Sequence, residues 1–211
     1  RATYTQADFT PLTTTAGFQM GVVALTSKGW KSWDDVVAAG KAGQELRFGA
    51  MSPKLADLGY MLGKANGIDF NIVMVKGGKG VMNGINAGDL DLGWGAGIQA
   101  KAVTAGDMIN LVSGISKPLS VSPDAPLMSD VGVPYNADGY FMFTAPAGLP
   151  QDARDALTSA IAEIVNDPST KVHGMLNKAF GGPVVIAGAD LDAVLAADEA
   201  AAEDLLKAAA E

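Results

Sequence analysis

The strongest constraint on this chain is an alternation of two kinds of segment. Residues 18–25 (FQMGVVAL), 45–49, 70–75 (FNIVMV), 90–94 and 108–114 are apolar runs of strand length, and 140–144 is an aromatic-rich one. Helix signals lie between them. Ser32-Trp33-Asp34-Asp35 has the capping-box spacing, and Gly40 can end that helix. Ser52-Pro53 pairs an N-cap residue with proline at the first helical position, and Leu55, Leu58 and Leu62 follow on one face. A short helix leads from the loop Lys76-Gly77-Gly78-Lys79-Gly80 to Asn86, and Gly88 ends it. Three helices close the chain: one from Pro150, one after Asp167-Pro168 that stops at Gly181-Gly182, and one from Leu191 onward. Strands separated by helices predict an α/β fold with mainly parallel sheets flanked by helices. Residues 117–139 are proline-rich and irregular, and read as a loop spanning two lobes.

With 211 residues, the chain can build one large domain or two modest α/β lobes. Its charged fraction of 18% against 48% hydrophobic residues is that of a globular protein. No run approaches the roughly 20 consecutive apolar residues of a membrane span. The net charge is -8 and the basic residues stand singly, which argues against a nucleic-acid partner. Cysteine is absent, so disulfides, thiolate metal sites and cysteine nucleophiles are excluded. The sequence opens on Arg1 rather than methionine, and its start is expected to be processed or truncated.

Three turns between a strand and a helix are candidate binding elements. In Lys76-Gly77-Gly78-Lys79-Gly80, glycines let backbone N–H groups converge at a helix N-terminus, which suits an anion; an ordinary tight turn with two solvated lysines is the plain alternative. The P-loop spacing is absent. In Gly49-Ala50-Met51-Ser52-Pro53, small residues permit close approach of a ligand, while Ser52 also serves as a helix cap. Two such turns in successive strand–helix units reinforce each other, because α/β ligands sit beyond the carboxyl ends of strands. The third, Gly95-Ala-Gly-Ile-Gln-Ala100, matches a dinucleotide fingerprint but lacks the acidic residue that should follow about twenty positions on. Trp94 is expected to pack, or to wall a pocket from its strand end. His173, the only histidine, reads as a solvated helix residue. Asp89 and Asp91 are two apart and read as a turn marker. No His/Asp/Glu spacing suits a metal, and no cofactor or catalytic residue is expected.

Taken in order, these segments resemble the receptor family of tripartite tricarboxylate transporters, the Bug proteins. The resemblance rests on Asp8-Phe-Thr-Pro-Leu, Ser32-Trp-Asp-Asp-Val, Phe48-Gly-Ala-Met-Ser, Val75-Lys-Gly-Gly and Ile85-Asn-Ala-Gly-Asp-Leu-Asp-Leu. It is sharpest at Ala145-Pro-Ala-Gly-Leu-Pro150, beside the family's A-P-A-G-T-P helix entry, and spans essentially the whole chain. It implies a two-lobed, type II periplasmic binding protein that closes around a small carboxylate and delivers it to membrane permease subunits, without being embedded in the membrane itself. Lobe 2 is then expected at 24–112, and lobe 1 at 1–23 and 113–211. Carried over, the ligand-binding positions are Ala50, Met51, Ser52 and Lys54, with Lys76, Gly77, Gly78, Lys79, Gly80 and Val81, and Trp94 beside them. The family's first strand and its P-G-G loop have no counterpart, so the first lobe is expected to be incomplete here. A sensory or interaction domain on the same fold, or an enzyme on the same architecture, is the alternative reading.

Overall fold

A computed structural model describes residues 3–210. In chain order, the elements are β1 (Phe9–Gly17), β2 (Met20–Leu25), α1 (Trp33–Lys41), β3 (Leu46–Ala50), α2 (Pro53–Asn66), β4 (Phe70–Met74), α3 (Gly77–Ala87), β5 (Leu92–Ala96), α4 (Ala100–Ala105), β6 (Met108–Ser113), β7 (Tyr140–Pro146), α5 (Gln151–Asn166), α6 (Lys171–Phe180) and α7 (Gly188–Ala209). They divide into two compact units. Unit 1 is the chain up to Gly17 together with Gly139–Ala200; unit 2 is Phe18–Asp138 together with the residues from Ala201 on.

Unit 2 is built on a five-stranded sheet of order β4-β3-β5-β2-β6. β3 pairs in parallel with β4 and with β5, while β2 runs antiparallel to both β5 and β6. Strand β6 therefore points the same way as β5, and β2 alone runs against the other four. The sheet is mixed at its centre rather than parallel throughout. Its helices form where the local signals put them. Ser52 caps α2, with its Oγ accepting from Leu55 N at 3.3 Å, Pro53 fills the first position, and Gly67 in the left-handed region ends it. At α1, Asp35 Oδ2 accepts from the N–H groups of Lys31 and Ser32 at 2.7 and 2.9 Å, which holds its carboxyl below the ordinary range.

Alternation along the strands sends side chains to the two faces of this sheet. Val22, Ala24, Phe48, Leu92 and Trp94 join Leu55, Leu58 and Leu62 of α2 in the larger core. Val23 joins Val81 and Ile85 of α3, with Leu90 and Met108, in a second core. Gly93 makes the second packing possible. A Cβ there would stand 2.7 Å from Gly49 O and 2.8 Å from Val81 Cγ1, closer than real atoms approach.

Residues 117–139 contain almost no regular structure, as expected, but up to Asp138 they belong to unit 2 and only their last residue lies in unit 1. Leu119, Met128, Val133 and Ala137 are buried in the core of unit 2. The chain passes between units at 17/18, at 138/139 and again at 200/201 within α7, where the sequence led us to expect two crossings, at 23/24 and 112/113. The reason is β2: its register runs unbroken from Met20↔Ala96 to Ala24↔Leu92, so its first residues cannot be separated from the sheet.

Unit 1 has a two-stranded antiparallel sheet, with Phe9 of β1 opposite Pro146 of β7 and Gly17 opposite Tyr140. On the other side of β1, Thr14 N donates to Ile186 O at 3.0 Å and Val184 N donates to Thr15 O at 3.0 Å. The Thr14 hydroxyl adds bonds to Val184 O and Ile186 N. Helices α5 and α6 pack with Ala16 through Val165 and Leu176. Phe141, Phe143, Ile164 and Met175 stay exposed around a cavity of about 470 Å3.

Candidate functional site

Strands β4, β3 and β5 are parallel neighbours, so their carboxyl ends lie on one edge of unit 2. Each is followed by a turn and a helix, which gathers the segments 50–54, 75–81 and 95–99 on that edge. Contacts tie them together. Val75 N donates to Ala50 O at 2.9 Å. A Cβ on Gly78 would sit 3.5 Å from Ala96 Cβ and from Ile98 Cδ1. Two of the three predicted turns are thus joined, and the third, at 95–99, touches the second.

The electrostatics of this edge oppose those of the whole chain. The three segments contain Lys54, Lys76 and Lys79 and no carboxylate, in a chain of net charge -8. None of these lysines takes part in an ion pair. Helix α3 adds its N-terminus: Lys76 precedes it without a side-chain cap, and Gly77 takes φ +67, a conformation costly for any residue with a Cβ. With no capping side chain, the first N–H groups of α3 remain available to an anion, and the helix dipole favours one there. At α2 the corresponding group is engaged, because Ser52 Oγ already accepts from Leu55 N. Met51, Val75 and Ile98 supply apolar surface on the same edge, with Ile98 exposed.

Not every predicted residue presents its side chain here. Ala50 and Val81 are fully buried and belong to the two cores, so only their backbones can serve a ligand. Trp94 walls no pocket. It is fully buried, its ring packs edge-on against Phe48 at 5.5 Å between centroids, and its Nε1 donates to Leu55 O at 2.7 Å. That bond fixes the first turn of α2 from behind.

The fingerprint-like Gly95-Ala-Gly sequence has a packing explanation. A Cβ on Gly95 would stand 2.5 Å from Gln99 Cδ, and Gly97 turns the chain at φ +94. Gln99 itself was not singled out by the sequence reading. It is 1% exposed, and its Nε2 donates to Gln19 O at 3.0 Å while its Oε1 has no partner. A lone carboxamide among glycines and apolar residues was the signal available.

The titratable groups serve structure. His173 is half-buried rather than solvated, and its Nδ1 lies 3.0 Å from Val165 O, linking α6 to the end of α5. Asp91 is buried and accepts from Arg47 N, Arg47 Nε and Lys28 Nζ. Burial pushes its carboxyl up, but the bonds from Arg47 and Lys28 outweigh this and hold it at about 2. Among the described residues no group of His, Cys, Asp and Glu could hold a metal ion, and no helix is long and apolar enough to cross a membrane.

No family profile and no curated protein matches the sequence. Solved structures do match. "R. palustris Rpa4515 with adipate" superposes with a TM-score of 0.83 at 20% identity, over 98% of this chain and 71% of that one. The periplasmic binding protein BugD gives 0.79 at 19% identity, over 96% and 69%. "MatC (Rpa3494) from Rhodopseudomonas palustris with bound malate" gives 0.77 at 16% identity, over 96% and 71%. The chain shares the fold of these proteins, and the α/β, periplasmic-binding-protein-like architecture expected from the sequence is the one observed.

Proposed function

We propose that this chain is an extracytoplasmic solute-binding protein that captures a small organic carboxylate for a tripartite tricarboxylate-type transporter. The observation that carries the reading is the edge of unit 2 where three unpaired lysines, the uncapped start of α3 and no carboxylate come together in an acidic protein. Such a local positive potential attracts anions whatever the net charge. The ligand carboxylate is held by the N–H groups of Gly77, Gly78 and Lys79, with Met51, Ser52 and Lys54 beside it and the backbones of Ala50, Gly80 and Val81 forming the cradle. Similarity of fold to proteins solved with adipate and malate supports a dicarboxylate as the ligand class. Units 1 and 2 stand for the two lobes of such a receptor. The place of work is the periplasm, the partners are the membrane permease subunits, and neither cofactor nor catalytic turnover belongs to the function.

Isothermal titration with adipate, malate and citrate, with arginine as cationic control, tests the proposal. Saturable binding of at least one acid and none of arginine is expected. A folded preparation that binds none of the acids, or sustained turnover that His173→Ala abolishes, overturns it.

A further inference from the structure

Strand β6 ends the sheet of unit 2, so one of its edges has no neighbouring strand. Near its C-terminus that edge is taken, because Ser113 N donates to Pro126 O at 2.7 Å and Ser113 bridges Leu127. Nearer its start the chain stands off, and a cavity of about 560 Å3 opens between 109–111, the first turn of α1 and 121–131. Apart from Lys31, the charged side chains around it are carboxylates. Asn110 is 5% exposed, and its Nδ2 donates to Ser122 Oγ at 3.0 Å while its Oδ1 has no partner. Asp34 and Asp124 are exposed and in no ion pair, and Asp130 accepts only from Leu127 N. Stabilising the start of α1 accounts for Asp34. It accounts for neither Asp124 and Asp130 nor the open strand edge.

We propose that this recess docks an extended segment of a partner protein that carries an ammonium or guanidinium side chain. The segment's backbone adds to the free edge of β6, as peptides do on exposed sheet edges. Its cation sits among Asp34, Asp124 and Asp130, within the field that three carboxylates against one lysine produce. Its aliphatic stem covers Ile109 and Val121. A small cation would use the carboxylates and leave the strand edge unsatisfied, which is why a polypeptide is the better occupant. The inference is independent of the carboxylate reading, since neither 50–54 nor 75–81 borders the recess.

The test uses the full chain, labelled with nitrogen-15, and a synthetic decapeptide alternating lysine and valine. Saturable amide shifts are expected at 108–113 and 121–126, with affinity weakened at least fivefold by Asp34→Asn combined with Asp124→Asn, and again by raising the salt. Both positions are exposed, so a cooperative melt within a few degrees of the parent's, the shift expected from losing the Asp34 charge at the start of α1, shows that the double variant is folded. Three results overturn the proposal: no shift on β6, equal affinity for the double variant, or equal binding of the peptide with glutamate in place of lysine. Arginine amide producing the same β6 shifts at the same concentration also overturns it, because the site is then one for small cations.

Discussion

Gly78 and Lys79 are neighbours in the first turn of α3, and they separate two ways of holding an anion. If backbone N–H groups carry the interaction, position 78 faces the ligand and the Lys79 ammonium is peripheral. A Cβ at Gly78 makes only ordinary contacts, and its φ is not in the left-handed region, so Gly78→Asp leaves the fold intact. It places a like charge where the carboxylate sits, and should weaken binding by tenfold or more, which corresponds to about 1.4 kcal/mol. Lys79 is exposed, and such ionic contacts are worth roughly 0–1 kcal/mol, so Lys79→Ala should cost less than about fivefold. Titration calorimetry that finds equal losses removes the backbone argument. The glycine-rich turn before α3 was legible because its spacing is local, and the anion it is proposed to hold is what this titration tests. The role of Trp94 was not, since its partners Phe48 and Leu55 lie about 40 residues away and nothing in the sequence reports which way a tryptophan at a strand end points.

Asp91 shows how a short sequence can mislead at the scale of the element. The pair Asp89 and Asp91 looks like a turn marker, yet Asp91 ties the start of β5 to Arg47 of β3 and to Lys28 after β2. Asp91→Asn leaves two cations without their carboxylate and should lower stability by about 2 kcal/mol, or roughly 4–8 °C in Tm. The sign with pH follows from a folded-state pKa of about 2, below the ordinary 3.8. The stabilisation is fully present above the unfolded value and is lost as pH falls through the folded one. Thermal melts of the two proteins should therefore differ most near neutrality and converge between about pH 4 and pH 2. A constant difference across that range would show that the carboxylate's charge is not what stabilises. Elements with local punctuation, such as Ser52-Pro53 before α2 and Gly88 after α3, were legible to within two residues. Strand β1 was missed entirely: FTPLTTTAG has a proline inside it and no alternation, and β7, which makes it a strand, lies about 130 residues later.

At the scale of the whole molecule, the two units differ in how completely they cover apolar surface. Unit 2 encloses two cores, whereas unit 1 exposes Phe143, Ile164 and Met175 around one cavity and Phe9 and Met142 beside another. Patches of this kind bind hydrophobic dyes. Phe143→Ser combined with Ile164→Ser should reduce the fluorescence of bound anilinonaphthalene sulfonate by about half or more. Tm should change little, because exposed positions contribute little to stability. A large fall in Tm would mean that these side chains are buried in solution. The path of the chain through unit 2 also sets a timetable. Strand β2 lies between β5 and β6, yet it leaves the ribosome about 80 residues before β6 does. At 5–20 residues per second, Met20–Leu25, buried along nearly its whole length in the native state, waits roughly 4–17 s for its second partner. The sheet of unit 2 therefore cannot be completed until Met108–Ser113 has been made, and its non-local pairings predict slow folding.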